Sequence, residues 1–245
     1  MLTKKSILGY ITLIIVVLSS SFACNDDGYS LGDFRISIAT VVPEGPDTYS
    51  LLLDNGEKLW PGATDVYYRP RVNQRVFVNY TILSDERSGY DHYIKVNDIW
   101  NVLTKPIIEL TEEIADSIGN DPIKANEFWI GDNYLNTSFS FNYGGIKPHA
   151  INMVINTMQD VEDDGVLELE LRHNSYNSKS NALYNGFASF DLKPFRQDGK
   201  DSIPITIKVK DWDEVKTFKV MYKYNDMNKD RQMKVIPDIS SNEYK

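Results

Sequence analysis

The sequence predicts an all-β protein, a small closed barrel followed by a β-sandwich, and three observations predict it. Runs rich in β-branched and aromatic residues recur along the chain, and several alternate with period two, as half-buried strands do. Turn signals such as Asp54-Asn55-Gly56, Ser88-Gly89, Asp163-Asp164-Gly165 and Asp198-Gly199 separate them. Helical spacing is confined to one short stretch near residues 107–119.

The first element is an export signal, residues 1–23. Lys4 and Lys5 form a basic start, Ile7–Leu18 an apolar run, and Ser19–Ala23 a mostly small-residue stretch ahead of Cys24. The apolar run is shorter than the roughly 20 residues that cross ~30 Å of hydrocarbon, so it is not a permanent transmembrane helix. Cys24 is the single cysteine of the 245 residues, and its place looks like a lipobox, although Ser21 stands where leucine is usual and Phe22 is bulky. A conventional cleavage would leave Cys24 as a free thiol that needs a reason of its own; lipidation supplies one. Two or more acyl chains such as palmitate, each CH2 contributing about 0.8 kcal/mol, would hold the protein on a membrane without a spanning helix.

Residues 24–33 read as a polar tether. Its acidic Asn25-Asp26-Asp27-Gly28 resembles the export signal of Bacteroides-group lipoproteins displayed on the outer face of the outer membrane. The expected location is therefore the outer membrane, lipid-anchored, with display at the cell surface as the finer expectation.

Residues 34–104 supply the barrel. Arg35–Val42, Tyr49–Leu53, Arg75–Leu83 and Tyr93–Leu103 read as strands. Asn55-Gly56 suits the positive φ values of a type I′ hairpin turn, and Pro43-Glu44-Gly45-Pro46 marks another reversal. Short strands this close together suit a closed barrel, which leaves no exposed edge. Residues 105–120 read as a linker. Ile107, Leu110, Ile114 and Ile118 fit a helix ended by Gly119, while the run Pro106–Leu110 reads equally as a closing strand.

Residues 121–245 form the second domain. Phe128–Ile130, Tyr134–Tyr143, His149–Met158, Val166–His173, Leu183–Asp191, Ile203–Lys210 and Thr217–Tyr224 are its strand candidates, spaced as in an immunoglobulin-like sandwich. With one cysteine no antibody-type disulfide core is possible, so the likeness is one of architecture.

Several runs resemble one family. Ile99-Trp100-Asn101-Val102-Leu103-Thr104-Lys105, Trp129-Ile130-Gly131-Asp132-Asn133-Tyr134-Leu135-Asn136, Leu171-Arg172-His173-Asn174 and Ser189-Phe190-Asp191-Leu192, with the lipobox and acidic tether, are similar to NigD-like lipoproteins of Bacteroidales. The resemblance covers essentially the whole mature chain. It implies an N-terminal OB-like barrel, a C-terminal β-sandwich, and immunity to a bacteriocin as one function associated with the family name. It supplies no catalytic residues.

The residues themselves offer little chemistry. His92, His149 and His173 are far apart, and none has ligand spacing such as HExxH, so no catalytic or metal role is expected of them. Asp160-x-Glu162-x-Asp164-Gly165 resembles the start of a calcium loop, but Leu171 stands where the bidentate Glu belongs. Asp226-x-Asn228-x-Asp230 has Arg231 and Pro237 in place of the Gly and Glu. Both read as acidic turns, with an irregular calcium site left open. No cofactor is expected.

The formal charge of −9, which becomes −11 once Lys4 and Lys5 are cleaved off, is spread along the chain and argues against nucleic acid as a partner. One basic-aromatic cluster stands out: Tyr67, Tyr68, Arg69, Arg71 and Arg75. OB barrels bind oligomers on one face and its loops, so these residues are candidate contacts for a protein or glycan. The bland alternative is a solvated loop whose arginines pair with carboxylates. The polar Asn174–Asn185 stretch is a second candidate loop. The expectation is a non-enzymatic envelope lipoprotein that binds a partner, with immunity as the alternative and an uncharacterised hydrolase a distant third.

Overall fold

The computed structural model describes residues 30–145, 147–159, 165–224 and 244–245. The export signal, Cys24 and the acidic segments at 160–164 and 226–230 lie outside these residues.

Five strands close the barrel: β1 (Phe34–Pro43), β2 (Tyr49–Leu53), β3 (Lys58–Thr64), β4 (Arg75–Ser84) and β5 (His92–Asn101), in the order β1-β2-β3-β5-β4. Only β3 and β5 pair in parallel; the other neighbours are antiparallel. Val41, Leu51, Leu59, Val76, Val78, Ile94 and Val96 point inward and are essentially inaccessible to water. β3 is the strand that sequence periodicity does not single out, because Pro61 and Gly62 interrupt its pattern. A bulge between Pro61 and Ala63 absorbs them.

The hairpin at Asp54-Asn55-Gly56 forms, but not as a type I′ turn. Gly56 has φ +88 and Asn55 is not in the left-handed region, while the Gly56 N–H donates to Leu53 O at 2.9 Å. This is a tight turn followed by a left-handed glycine, the three-residue hairpin alternative.

The sandwich has two layers. A five-stranded sheet runs β14-β13-β11-β10-β7 and a four-stranded sheet β6-β12-β9-β8. The strands are β6 (Leu103–Pro106), β7 (Ile108–Leu110), β8 (Lys124–Gly131), β9 (Tyr134–Asn142), β10 (Ala150–Asn156), β11 (Leu167–Asn174), β12 (Leu183–Asp191), β13 (Ser202–Lys210) and β14 (Val215–Lys223). Phe139, Phe141, Phe190, Ile151, Leu169, Ile205 and Ile207 fill the space between the sheets. Tyr244 enters the same core, and its hydroxyl accepts the Phe187 N–H at 2.9 Å.

The segment 105–120 is more than a linker. The chain leaves the barrel at Val102, so Leu103 and Thr104 belong to the sandwich. β6 pairs parallel with β12, and after Ile107 β7 pairs parallel with β10, so the chain switches sheets there. The helix is only α1 (Glu112–Ile118), ended by Gly119. The stretch is strand first, then a short helix.

Barrel and sandwich share a packed junction. Ile38, Phe77, Val102, Trp129 and Phe187 form one buried cluster, with Phe187 edge-on to Phe77 at 5.2 Å and to Trp129 at 5.9 Å. Beside it Arg75 is fully buried, and its guanidinium donates to Asp54 Oδ1 at 2.6 Å and Thr40 Oγ1 at 2.9 Å. The Tyr134 ring lies 5.0 Å from that guanidinium, and the Thr40 hydroxyl donates to Asp132 Oδ2 at 2.9 Å. Gly131 is needed at this point: a Cβ there would lie 1.8 Å from Asp54 Oδ2. Removing one member of such a pair strands a buried charge.

Candidate functional site

The loop between β3 and β4 carries the predicted contact residues, and the structure sorts them. Tyr67 is 81% exposed and donates its hydroxyl to Asp47 Oδ1 at 3.2 Å. Tyr68 is half-buried, stands edge-on to Tyr49 at 5.3 Å, and donates to Asn101 Oδ1 at 2.8 Å. Burial, reinforced by Tyr49, pushes its hydroxyl up to about 12, so it acts as a neutral plug over the barrel core. Arg69 and Arg71 are exposed, and neither guanidinium has a hydrogen-bond partner among the described residues.

Arg75 is the correction. It opens β4 immediately after the loop, and its side chain turns into the junction described above, with no surface left for a ligand. Its charge is held by Asp54, 21 positions earlier, a partner that local sequence does not reveal.

Arg71 lines a groove of about 290 Å3 between the barrel and the sandwich. Asn73, Gln74, Lys105, Tyr134 and Asp191 line it as well. Gln74 braces one wall by donating to Arg75 O at 2.7 Å, Val102 O at 2.8 Å and Thr104 Oγ1 at 3.1 Å. The Tyr134 hydroxyl donates to Asn73 O at 3.1 Å, and Lys193 Nζ lies 5.4 Å from the Tyr134 ring. Burial, with Asp191 next, raises the Tyr134 hydroxyl to about 12, so it remains a donor at any ordinary pH. The groove offers cations and hydrogen-bond donors to a polar ligand, and no nucleophile–base pair.

The family pattern described as the NigD-like N-terminal OB domain matches residues 38–102, and that of the NigD-like C-terminal beta sandwich domain matches 106–222. A solved structure of a toxin-related protein, by its given name, from Parabacteroides distasonis ATCC 8503 is 38% identical, with a TM-score of 0.70 over 79% of this chain and 95% of that one. The chain belongs to the NigD-like family. A protein of unknown function from Bacteroides vulgatus ATCC 8482 is 32% identical, with a TM-score of 0.69 over 87% of this chain and 100% of that one. A NigD-like immunity protein from Bacteroides caccae ATCC 43185, 18% identical, shares the fold with a TM-score of 0.60 over 80% of this chain and 98% of that one. No curated protein matches the chain.

In this NigD-like chain the histidines expected to be structural are buried or half-buried, and two of them meet. His149 Nδ1 lies 2.9 Å from His173 Nε2, and His173 Nδ1 lies 2.9 Å from Pro122 O. A carbonyl can only accept, so His173 carries its proton on Nδ1 and accepts on Nε2 from His149 Nδ1–H. His149 Nε2 is then a bare nitrogen, buried and without a hydrogen-bond partner among the described residues. Burial, then the neighbouring His173, lowers His149 to about 4, and burial lowers His173. The pair is neutral packing material beside Phe141 and Tyr143.

The Asn174–Asn185 loop is pinned at its start: Ser175 donates from N and Oγ to Asp121 Oδ2, and Lys147 Nζ sits 3.3 Å from the Tyr176 ring centroid. No cluster of three metal-ligating side chains occurs among the described residues, nor a helix long and apolar enough to cross a membrane. Sequence reasoning missed Asn73, Tyr134, Asp191 and Lys193. The Trp129–Asn136 and Ser189–Leu192 motifs contain Tyr134 and Asp191, but nothing local says that β8–β9 meets the barrel loop.

Proposed function

We propose that this NigD-like protein is a non-enzymatic binding module of the cell envelope, held on the outer membrane by lipid on Cys24 and meeting a protein or glycan through its barrel. The observation that carries the reading is the closed β1-β2-β3-β5-β4 barrel, an oligomer-binding scaffold, with Tyr67, Arg69 and Arg71 exposed on its rim. The groups with chemical potential support it too. Arg75 is consumed by Asp54, and the two sandwich histidines by each other. The negative charge speaks against nucleic acid.

Two experiments test the reading. Mass spectrometry of the N-terminal peptide should find a start at acylated Cys24, and Cys24→Ala should release or misprocess the protein; an unmodified thiol overturns the anchor. Pull-down from envelope extract should capture a partner that Tyr67→Ala/Arg69→Ala or Arg71→Ala weakens. Turnover of a substrate by homogeneous protein would overturn the non-enzymatic reading.

Immunity to an antibacterial toxin is the second reading, favoured by the names of the 38% and 18% identical relatives. Expression of the protein in a toxin-sensitive strain should then protect it.

A further inference from the structure

The outer face of β3 and β5 is bordered by the β4–β5 loop and reached by Glu44 of the β1–β2 loop. Three aromatic rings stand together there. Trp60 of β3 lies 5.0 Å from Tyr90, at the end of the β4–β5 loop, with planes at 45°. Tyr90 lies 6.4 Å from Tyr93 of β5, with planes at 83°. Trp60 and Tyr93 are direct partners across the parallel pair, and their strand neighbours Leu59 and Ile94 are fully buried. Strand alternation therefore turns both rings outward. All three are half-exposed, and none belongs to a core cluster.

Polar groups border the rings from both loops. Glu44, from the β1–β2 loop, accepts from Ser50 Oγ at 2.9 Å and faces the Tyr90 hydroxyl at 3.5 Å. The Arg87 guanidinium lies 5.7 Å from the Tyr93 ring. Gly62 is the residue bulged out of β3, and a Cβ there would rest 3.5 Å from Tyr93 Cδ1. A side chain there would cover that edge of the Tyr93 ring, and strand glycines often mark a close approach.

We propose that this face is a saccharide-binding site for a neutral oligosaccharide. Pyranose rings present C–H faces to aromatic rings and hydroxyls to flanking carboxylates and guanidinium groups, and both kinds of partner are present. The three rings pack tilted and edge-on against one another and form one aromatic platform. A polyanion is disfavoured, because Glu44, Asp85, Glu86 and Asp91 outnumber Arg87 in and beside the two loops. The inference rests on the binding-module reading but puts the ligand on the side of the barrel, over β3 and β5.

The test is calorimetric titration of the purified lipoprotein, in a detergent without a sugar headgroup, with cellohexaose, xylohexaose, mannohexaose and maltohexaose. Heparin and a single-stranded oligonucleotide serve as polyanionic controls. At least one hexasaccharide should bind, and Trp60→Ala or Tyr93→Ala should weaken it by about ten-fold or more. Gly62→Leu should weaken it similarly with every ring still in place, which separates occlusion of the face from damage to the fold. Binding of heparin alone, or of a hexasaccharide equally by wild type, Trp60→Ala and Gly62→Leu, overturns the proposal. If no hexasaccharide binds while the envelope pull-down captures a protein through the rim, the saccharide site fails and the binding-module reading stands.

Discussion

The barrel and the sandwich use their aromatic residues in opposite ways. In the sandwich Phe139, Phe141, Phe190, Tyr222 and Tyr244 face inward and knit two sheets together. In the barrel the core is mostly aliphatic, while Trp60, Tyr67, Tyr90 and Tyr93 stand partly or largely in water. A two-layer sandwich needs large side chains to fill the space between its sheets, about 10 Å apart. A five-stranded barrel has a narrow interior that Val, Leu and Ile fill, which frees its aromatic side chains for the outside. The sandwich is therefore the part whose substitutions should cost stability, and the outer face of the barrel the part whose substitutions should cost binding.

Four measurements test that contrast. The largest effect is expected at the junction, where Asp54→Ala leaves Arg75 charged and unpaired in the interior. A loss of about 3–5 kcal/mol is expected in denaturant unfolding. Asp54→Leu with Arg75→Met should recover much of it, and a single variant as stable as wild type would mean that water reaches the pair.

The second effect belongs to the sandwich alone. His149 is held at about 4 in the folded chain against an ordinary 6.5, Asp121 opposing the shift. The folded state then binds fewer protons than the unfolded one, so stability is full above about pH 6.5 and falls as the pH drops towards 4. His149 by itself contributes on the order of 3 kcal/mol to that fall. Thermal midpoints at pH 7, 5.5 and 4 measure it. The variant His149→Leu/His173→Leu should lose less between pH 7 and 4 than wild type; an equal loss would assign the acid sensitivity to carboxylates.

Tyr244→Phe is the third, since it keeps the ring in the core but strands the buried Phe187 N–H. About 1–3 kcal/mol should be lost. The smallest effect is expected on the barrel rim. Tyr67→Ala should change stability by less than about 0.5 kcal/mol, because the residue is 81% exposed. A larger cost would show that the rim is structural.

Much of the fold is legible from local pattern. The sandwich strand candidates all overlap observed strands, from Phe128–Ile130 inside β8 to Thr217–Tyr224 along β14. The misses have physical reasons. Pro61 and Gly62 hide β3 until the bulge is seen. β6 is four residues long and pairs with a strand far along the chain, so no local period marks it.

Local sequence carries the all-β class, the order of barrel and sandwich, and the helix end at Gly119. Each depends on periodicity, backbone preference or a linear motif, which are properties of near neighbours in the chain. Contacts between distant strands make Arg75 a buried junction residue, join His149 and His173 by one hydrogen bond, and set Arg71 beside a groove with Asp191. They also bring Trp60, Tyr90 and Tyr93 onto one face. These depend on which distant residues the sheets bring within a few ångströms, because burial and charge pairing are set by neighbours in space.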